Sequence, residues 1–222
     1  MGGAPVNALL LADGRFPAGG HAHSGGMESA VAAGRVTDLD SLGRFLLGRL
    51  FTAGLSAAAL AAAASVERED WRDLDAEADA RTPSPAIRRA SRRQGKQLIR
   101  TAGRLWPDKL DALAWQIPDG PHHPVAMGAA TAAAGLRAAD AARCTAFNAI
   151  AGPAGAAVRL LGIDPVQVHR LLAKLSGAVE EVVEEATSYT YAALDTLPCP
   201  GSVLLDLFGE QHAVSEVKLF AS

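Results

Sequence analysis

Leu39, Leu42, Phe45, Leu46 and Leu50 recur at intervals of three and four residues, which places them on one face of a helix. Thr37 and Asp38, just upstream, carry side-chain oxygens that can cap free helix N–H groups. Ser84-Pro85 repeats that start signal, with proline at the first helical position. Asp164-Pro165 does so again, and Gln167 three residues after Asp164 completes a capping-box-like pattern. From there Val168, Leu171, Leu172, Leu175, Val179, Val182 and Ala186 form one stripe. The spacing predicts a single long amphipathic helix.

Turn-forming stretches separate these runs. Asp13–Gly26 is rich in glycine, and Thr82-Pro83-Ser84-Pro85 is a tight connection. Trp106–Pro124 holds four prolines and is expected to wander over the surface. Leu197-Pro198-Cys199-Pro200-Gly201 sets off a last segment, 202–222. No internal repeat and no second domain emerge. The expected architecture is all-α: residues 1–222 as one irregular bundle of about seven to ten helices.

Composition agrees with this. Of 222 residues, 49% are hydrophobic but only 5% aromatic. Alanine is abundant, which favours closely packed helices over strands. Cys144 and Cys199 stand far apart without metal-ligand spacing, so reduced thiols are expected. The first residues lack the basic start of a signal peptide. The uncharged stretches Leu50–Val66 and Cys144–Val158 are short and only weakly apolar, so buried helices are expected rather than membrane spans.

Charge is unevenly spread. The net value is −3, yet Arg81 to Arg104 holds eight basic residues and no acidic one. The remainder balances at −11. Such a mosaic suits protein partners better than nucleic acid. Arg88, Arg92, Lys96, Arg100 and Arg104 recur every four residues, a stripe that an acidic protein surface could meet. Glu180, Glu181, Glu184 and Glu185 form an acidic counterpart, read as a solvated face.

The segment Gly14–Glu28 is the most unusual. It lacks the order of a phosphate-binding loop. His21 and His23, two apart, could present two imidazoles to nickel, zinc or copper, although two ligands do not make a tight site. Glu28 can also be read as a first-turn helix acid after a Ser24 cap. His122-His123-Pro124 reads as a turn or cap. No nucleophile elbow, zinc-protease motif or cysteine–histidine signature is present, so no catalytic residue is assigned.

In order along the chain, several motifs resemble the UreF family of urease accessory proteins. Phe16, Pro17, Gly19, Gly20, Ser24, Gly26, Met27 and Glu28 fill the family's N-terminal signature, with His21 and His23 where aromatics are usual. Ser91–Leu98, around Gly95, resembles its basic helix. His123-Pro124-Val125 with Gly128, Ala156–Leu160 with Arg159, and the ending Glu210-Gln211-His212 with Lys218-Leu219-Phe220-Ala221-Ser222 continue the match. Lys218 stands for the usual arginine. Gly152-Pro153 departs from a continuous helix and predicts a kink or break.

The resemblance implies a non-enzymatic, cytoplasmic, homodimeric adaptor for nickel insertion into apo-urease. It would bridge a scaffold protein, UreD (also called UreH), and the nickel-carrying GTPase UreG, with no resident cofactor and at most transient nickel. Glu28, Arg92, Lys96, Arg100, Arg159, His212, Lys218 and Phe220 are the expected partner-binding residues. Pro17, Gly19, Gly20, Ser24, Gly26 and Gly95 shape the fold, and 202–222 would order on the scaffold. Two other readings stay open: a direct nickel carrier through His21 and His23, and a nucleic-acid binder through the basic helix 88–104.

Overall fold

A computed structural model describes residues 4–18, 20–66, 71–107, 109–216 and 218–221, with the side chains of residues 4, 5 and 21 left out. The described residues hold no strand. In chain order they form α1 (Ala4–Ala12), α2 (Met27–Ala32), α3 (Leu39–Arg49), α4 (Leu55–Ala64), α5 (Trp71–Ala80), α6 (Pro85–Leu105), α7 (Asp111–Gln116), α8 (His123–Ala133), α9 (Ala138–Leu161), α10 (Pro165–Lys174), α11 (Ser176–Ser188) and α12 (Val203–Val214). A π-helical turn, Leu50–Gly54, joins α3 to α4 without a break. With those two counted as one and the six-residue α2 and α7 set aside, nine longer helices make the expected bundle.

α4 is apolar all round, and a helix of that kind belongs inside. Ala58 to Ala64 have between 0% and 3% exposure, and α8, α9 and α11 surround them. The run Leu39–Ala64 is long and apolar enough to cross a membrane, with half of its most apolar stretch buried inside the fold. α9 is the second axis: α1, α2, α3, α10 and α11 all pack against it.

The caps hold as local chemistry predicts. Asp38 accepts from the Ser41 amide at 2.8 Å, and the Ser41 hydroxyl reaches back to the Asp38 N–H. Ser84 accepts from Ile87. Asp164 accepts from the Val166 amide at 2.9 Å, so Gln167 plays no part in that cap.

Three expectations change. The stripe from Val168 to Ala186 belongs to two helices, α10 and α11, divided at Leu175. α10 packs on α3 and α9, whereas α11 packs on α4 and α9, so the stripe turns to follow different neighbours. The stretch after Trp106 is no surface excursion: Leu110, Leu113 and Ile117 are buried, and His122 has 1% exposure. Pro153 does not break α9, which runs 24 residues through it. The N–H that proline lacks would have bonded to the Ala149 carbonyl one turn back. That carbonyl instead accepts from Arg49 Nε at 2.8 Å.

Gly95 lets α6 lie directly on the chain entering α8. A Cβ there would stand 2.0 Å from the Pro121 carbonyl oxygen and 3.0 Å from the His122 carbonyl carbon. Gly103, two turns on, has nothing within 4 Å of its Cβ position. Gly95→Ala is therefore expected to destabilise by about 3 kcal/mol or more, because backbone must move. Gly103→Ala should stabilise by roughly 0.5–1 kcal/mol, since alanine loses less entropy in a helix. Chemical unfolding of the two variants beside the parent chain measures both signs.

Candidate functional site

The N-terminal loop and the chain's last residues meet at Glu28. Gly26 has a φ of 89°, a left-handed conformation that glycine accepts without strain, and it is the N-cap of α2. Glu28 follows in the first turn. Its amide lies 3.4 Å from the fully buried Ser24 hydroxyl. One carboxylate oxygen accepts the Leu219 N–H at 2.7 Å. The other accepts from His212 Nε2 at 2.8 Å and from the Phe220 N–H at 3.3 Å. Ala221 N–H bonds to the Ala22 carbonyl at 2.7 Å, and the Arg159 guanidinium stands 4.2 Å over the Phe220 ring. A cation on an aromatic face contributes about 0.5–2 kcal/mol.

α12 is held on the side that meets α6 too. Glu210 accepts the Ala86 N–H at 2.8 Å and the Ser84 hydroxyl, at the N-terminus of α6. The Ser84 hydroxyl and the Ala86 amide hold the Glu210 carboxyl below its ordinary range. Glu28 and Glu210 thus each combine hydrogen bonding with the favourable end of a helix dipole. Helix α12 is formed on its own chain, where ordering on a scaffold was expected. Leu205, Phe208 and His212 face inward. Val203, Leu204, Leu207 and Val214 face out.

The basic stripe divides. Steps of four residues advance about 40° around a helix, so five such residues cannot share one direction. Arg92 turns inward: it reaches Asp75 and Asp79, each at 2.7 Å, and the Gly120 carbonyl at 3.0 Å. Its guanidinium is spent within the chain rather than offered to a partner. His122 completes that network through Asp79 at 2.8 Å, Ser91 at 3.0 Å and its own N–H to Asp75 at 2.7 Å. Lys96 and Arg100 are exposed. So is Lys218, which donates to the Ala213 carbonyl. Glu180 is taken by Arg143 through two bonds of 2.8 Å, while Glu181, Glu184 and Glu185 are exposed. Pro17 accepts from Gln97 and Thr101, tying the loop to α6. Gly19 and the His21 side chain lie outside the described residues, and Gly20 opens a short 3-10 turn.

Beneath the loop lies a cavity of about 590 Å³, lined among others by His23, Arg49, Gln94, His123 and Asn148. Burial, and secondarily His23, lowers the His123 imidazole to about 4. No group of three or more His, Cys, Asp or Glu suited to a metal occurs among the described residues. Both cysteines are free, and burial raises Cys144 to about 11. Asp75, Asp79 and Arg49 were not foreseen. Asp75 and Asp79 stand one helical turn apart beside the core residues Leu74 and Ala78, and Arg49 is a cation at the edge of a long uncharged run.

The UreF family model matches residues 36–176. This chain belongs to the UreF family of urease accessory proteins. It is 42% identical over 214 residues to the urease accessory protein UreF of Mycobacterium sp. (strain JLS), covering 96% of this chain and 97% of that protein. The urease accessory protein UreF of Mycobacterium tuberculosis (strain H37Rv) is 42% identical over 215 residues, with the same coverage. That of Mycolicibacterium vanbaalenii is 43% identical over 218, again covering 96% and 97%. Membership of UreF makes the chain an accessory protein of urease maturation rather than a urease.

Two outcomes follow for this UreF. Glu28→Ala removes an acceptor from two amides and a histidine. Loss of about 2 kcal/mol of tail docking is expected, or roughly 30-fold faster amide exchange at Leu219 and Phe220, while Glu28→Gln loses less. Hydrogen-exchange mass spectrometry over residues 214–221 reads this. The second concerns pH. His123 stays neutral in the folded chain where the unfolded chain protonates it, so folding releases a proton between pH 6.5 and about 4. Stability therefore falls as pH falls through that window. His123→Gln should flatten the decline by an amount on the order of 3 kcal/mol, seen as urea midpoints at pH 7 and pH 4 that lie closer together.

Proposed function

We propose that the chain is a cytoplasmic, homodimeric adaptor that brings the nickel-carrying GTPase UreG to the scaffold UreD (UreH) for nickel insertion into apo-urease. One observation supports this above the rest. α12 is anchored through its inner face and through Glu28, yet Val203, Leu207 and Val214 share an outer face left in solvent, with Leu204 beside them. Exposed apolar side chains gathered on one helix mark an interaction surface. In this reading α12 grips the scaffold, and Lys218 and Leu219 flank the contact.

The exposed half of the basic helix, Lys96 and Arg100 with Arg89 and Arg93, then serves an acidic surface of the GTPase complex. Arg92, Arg159, His212 and Phe220 act by holding the segments that carry the contacts. The chain itself makes and breaks no bond.

Leu204→Asp/Leu207→Asp leaves Leu205, Phe208 and His212 in place, so the fold should survive with unchanged helical circular dichroism. Co-purification with the scaffold protein is expected to weaken at least tenfold, as is usual when central apolar contacts are lost. Scaffold binding equal to that of the parent chain would refute α12 as the grip.

A further inference from the structure

Two irregularities of the helices converge on Arg49. It is the last residue of α3, where the π-helical turn begins, and π turns are frequent at functional sites. Pro153 inside α9 frees the Ala149 carbonyl, which takes Arg49 Nε. That single bond fixes the side chain and leaves the NH1 and NH2 end of the fork without a protein acceptor among the described residues. No carboxylate among the described residues pairs with it. Burial alone lowers its pKa to about 10, so it remains a cation at neutral pH.

The guanidinium lines the 590 Å³ cavity, a volume within the usual range for small-ligand sites. Three more polar side chains line the same space with no hydrogen-bond partner among the described residues: Gln94, the His123 ring and Asn148. Gln94 lies one turn after Ser91, whose hydroxyl accepts the His123 amide at 3.0 Å, so Gln94 and His123 neighbour each other. Asn148 adjoins Ala149, the residue that holds Arg49. The cavity's carboxylates are committed elsewhere: Asp13 to Arg15, and Asp206 to the Ser84 amide. Arg15, Arg81 and Arg159 border the same cavity but engage Asp13, Glu77 and the Phe220 ring, so Arg49 brings a fixed positive charge with neutral hydrogen-bonding groups beside it.

We infer that this cavity is a binding site for a small oxyanion, carboxylate or phosphate, held end-on by the Arg49 fork with Gln94, His123 and Asn148 as further partners. A guanidinium pairs with two oxygens of such a group at once, which a chloride ion does not offer. A bare cation is disfavoured beside Arg49. The inference is independent of the adaptor role, since it concerns the interior of the chain alone.

Thermal unfolding of the full chain at constant ionic strength tests it, with formate and inorganic phosphate as probes and chloride as reference. A saturable rise in Tm with formate, with phosphate or with both is expected; the first favours a planar carboxylate ligand, the second a tetrahedral one. Arg49→Gln should weaken the responding probe at least tenfold, Arg49→Lys should weaken it less, and Arg143→Gln on the outer surface should leave it unchanged. If Arg49→Gln does not fold, Asn148→Leu is expected to weaken binding severalfold. Equal affinity in the folded variants, a matching effect of chloride, or no saturable response to either probe at tens of millimolar would overturn the inference.

Discussion

The backbones of α4 and α8 lie in contact, and much else depends on that approach. A Cβ at Gly128 would stand 2.3 Å from the Ala61 carbonyl oxygen and 2.5 Å from Ala64 Cβ. Such contact needs small residues on both sides, and the alanine run of α4 supplies them. Close approach gains dispersion along the line of contact. It has a corollary: alanine cannot reach across a gap where helices diverge. The cavity beside α6, α8 and α9 is space of that kind, walled by alanines and glycines among larger apolar side chains and entered by a few long polar ones.

Polar groups drawn inside a core of this sort must find partners or water. Asp75, with 5% exposure, meets Arg92 and the His122 amide, and Asp79 meets Arg92 and the His122 ring. No buried side-chain nitrogen or oxygen among the described residues is left without a partner. The internal network explains why α5, α6 and the entry to α8 act as a unit. It also explains why Gly95 and Gly120 are needed there, since each lets the backbone come near enough for Arg92 to span the gap. Arg49 contrasts with this network, because its fork faces the cavity rather than a carboxylate.

What could be foreseen from the chain is what local chemistry settles. Asp38, Ser84 and Asp164 cap helices because the amides they accept lie two or three residues away. The all-α class follows from alanine content and apolar periodicity. The division at Leu175 escaped that logic, because one periodic stripe serves two helices equally well until their neighbours are known. The joining of Arg49 to Ala149 escaped it too: the residues are 100 apart, and the link exists only because Pro153 removes a donor. Glu28 was legible as a residue of consequence through its place in a family pattern. Its partners, the Leu219 and Phe220 amides, were not, since a backbone N–H has no signature in sequence.

The docking of α12 on its own chain changes how a partner would be gripped. A segment that ordered only on contact would pay roughly 2–5 kcal/mol of binding energy for its own folding. Here Glu28, Glu210 and the Arg159–Phe220 contact have already ordered the helix and fixed its direction. A scaffold meeting Val203, Leu204, Leu207 and Val214 would find a preformed apolar face, and preorganisation of that kind raises affinity without adding contacts. The same arrangement links distant parts of the chain: what loosens Glu28 in the first turn of α2, just after the N-terminal loop, releases the residues that follow α12. In the proposed adaptor, the signature loop therefore governs scaffold binding without touching the scaffold. Mutation of Glu28 would then weaken assembly by disordering the grip, whereas mutation of Leu204 and Leu207 would weaken it by removing the surface.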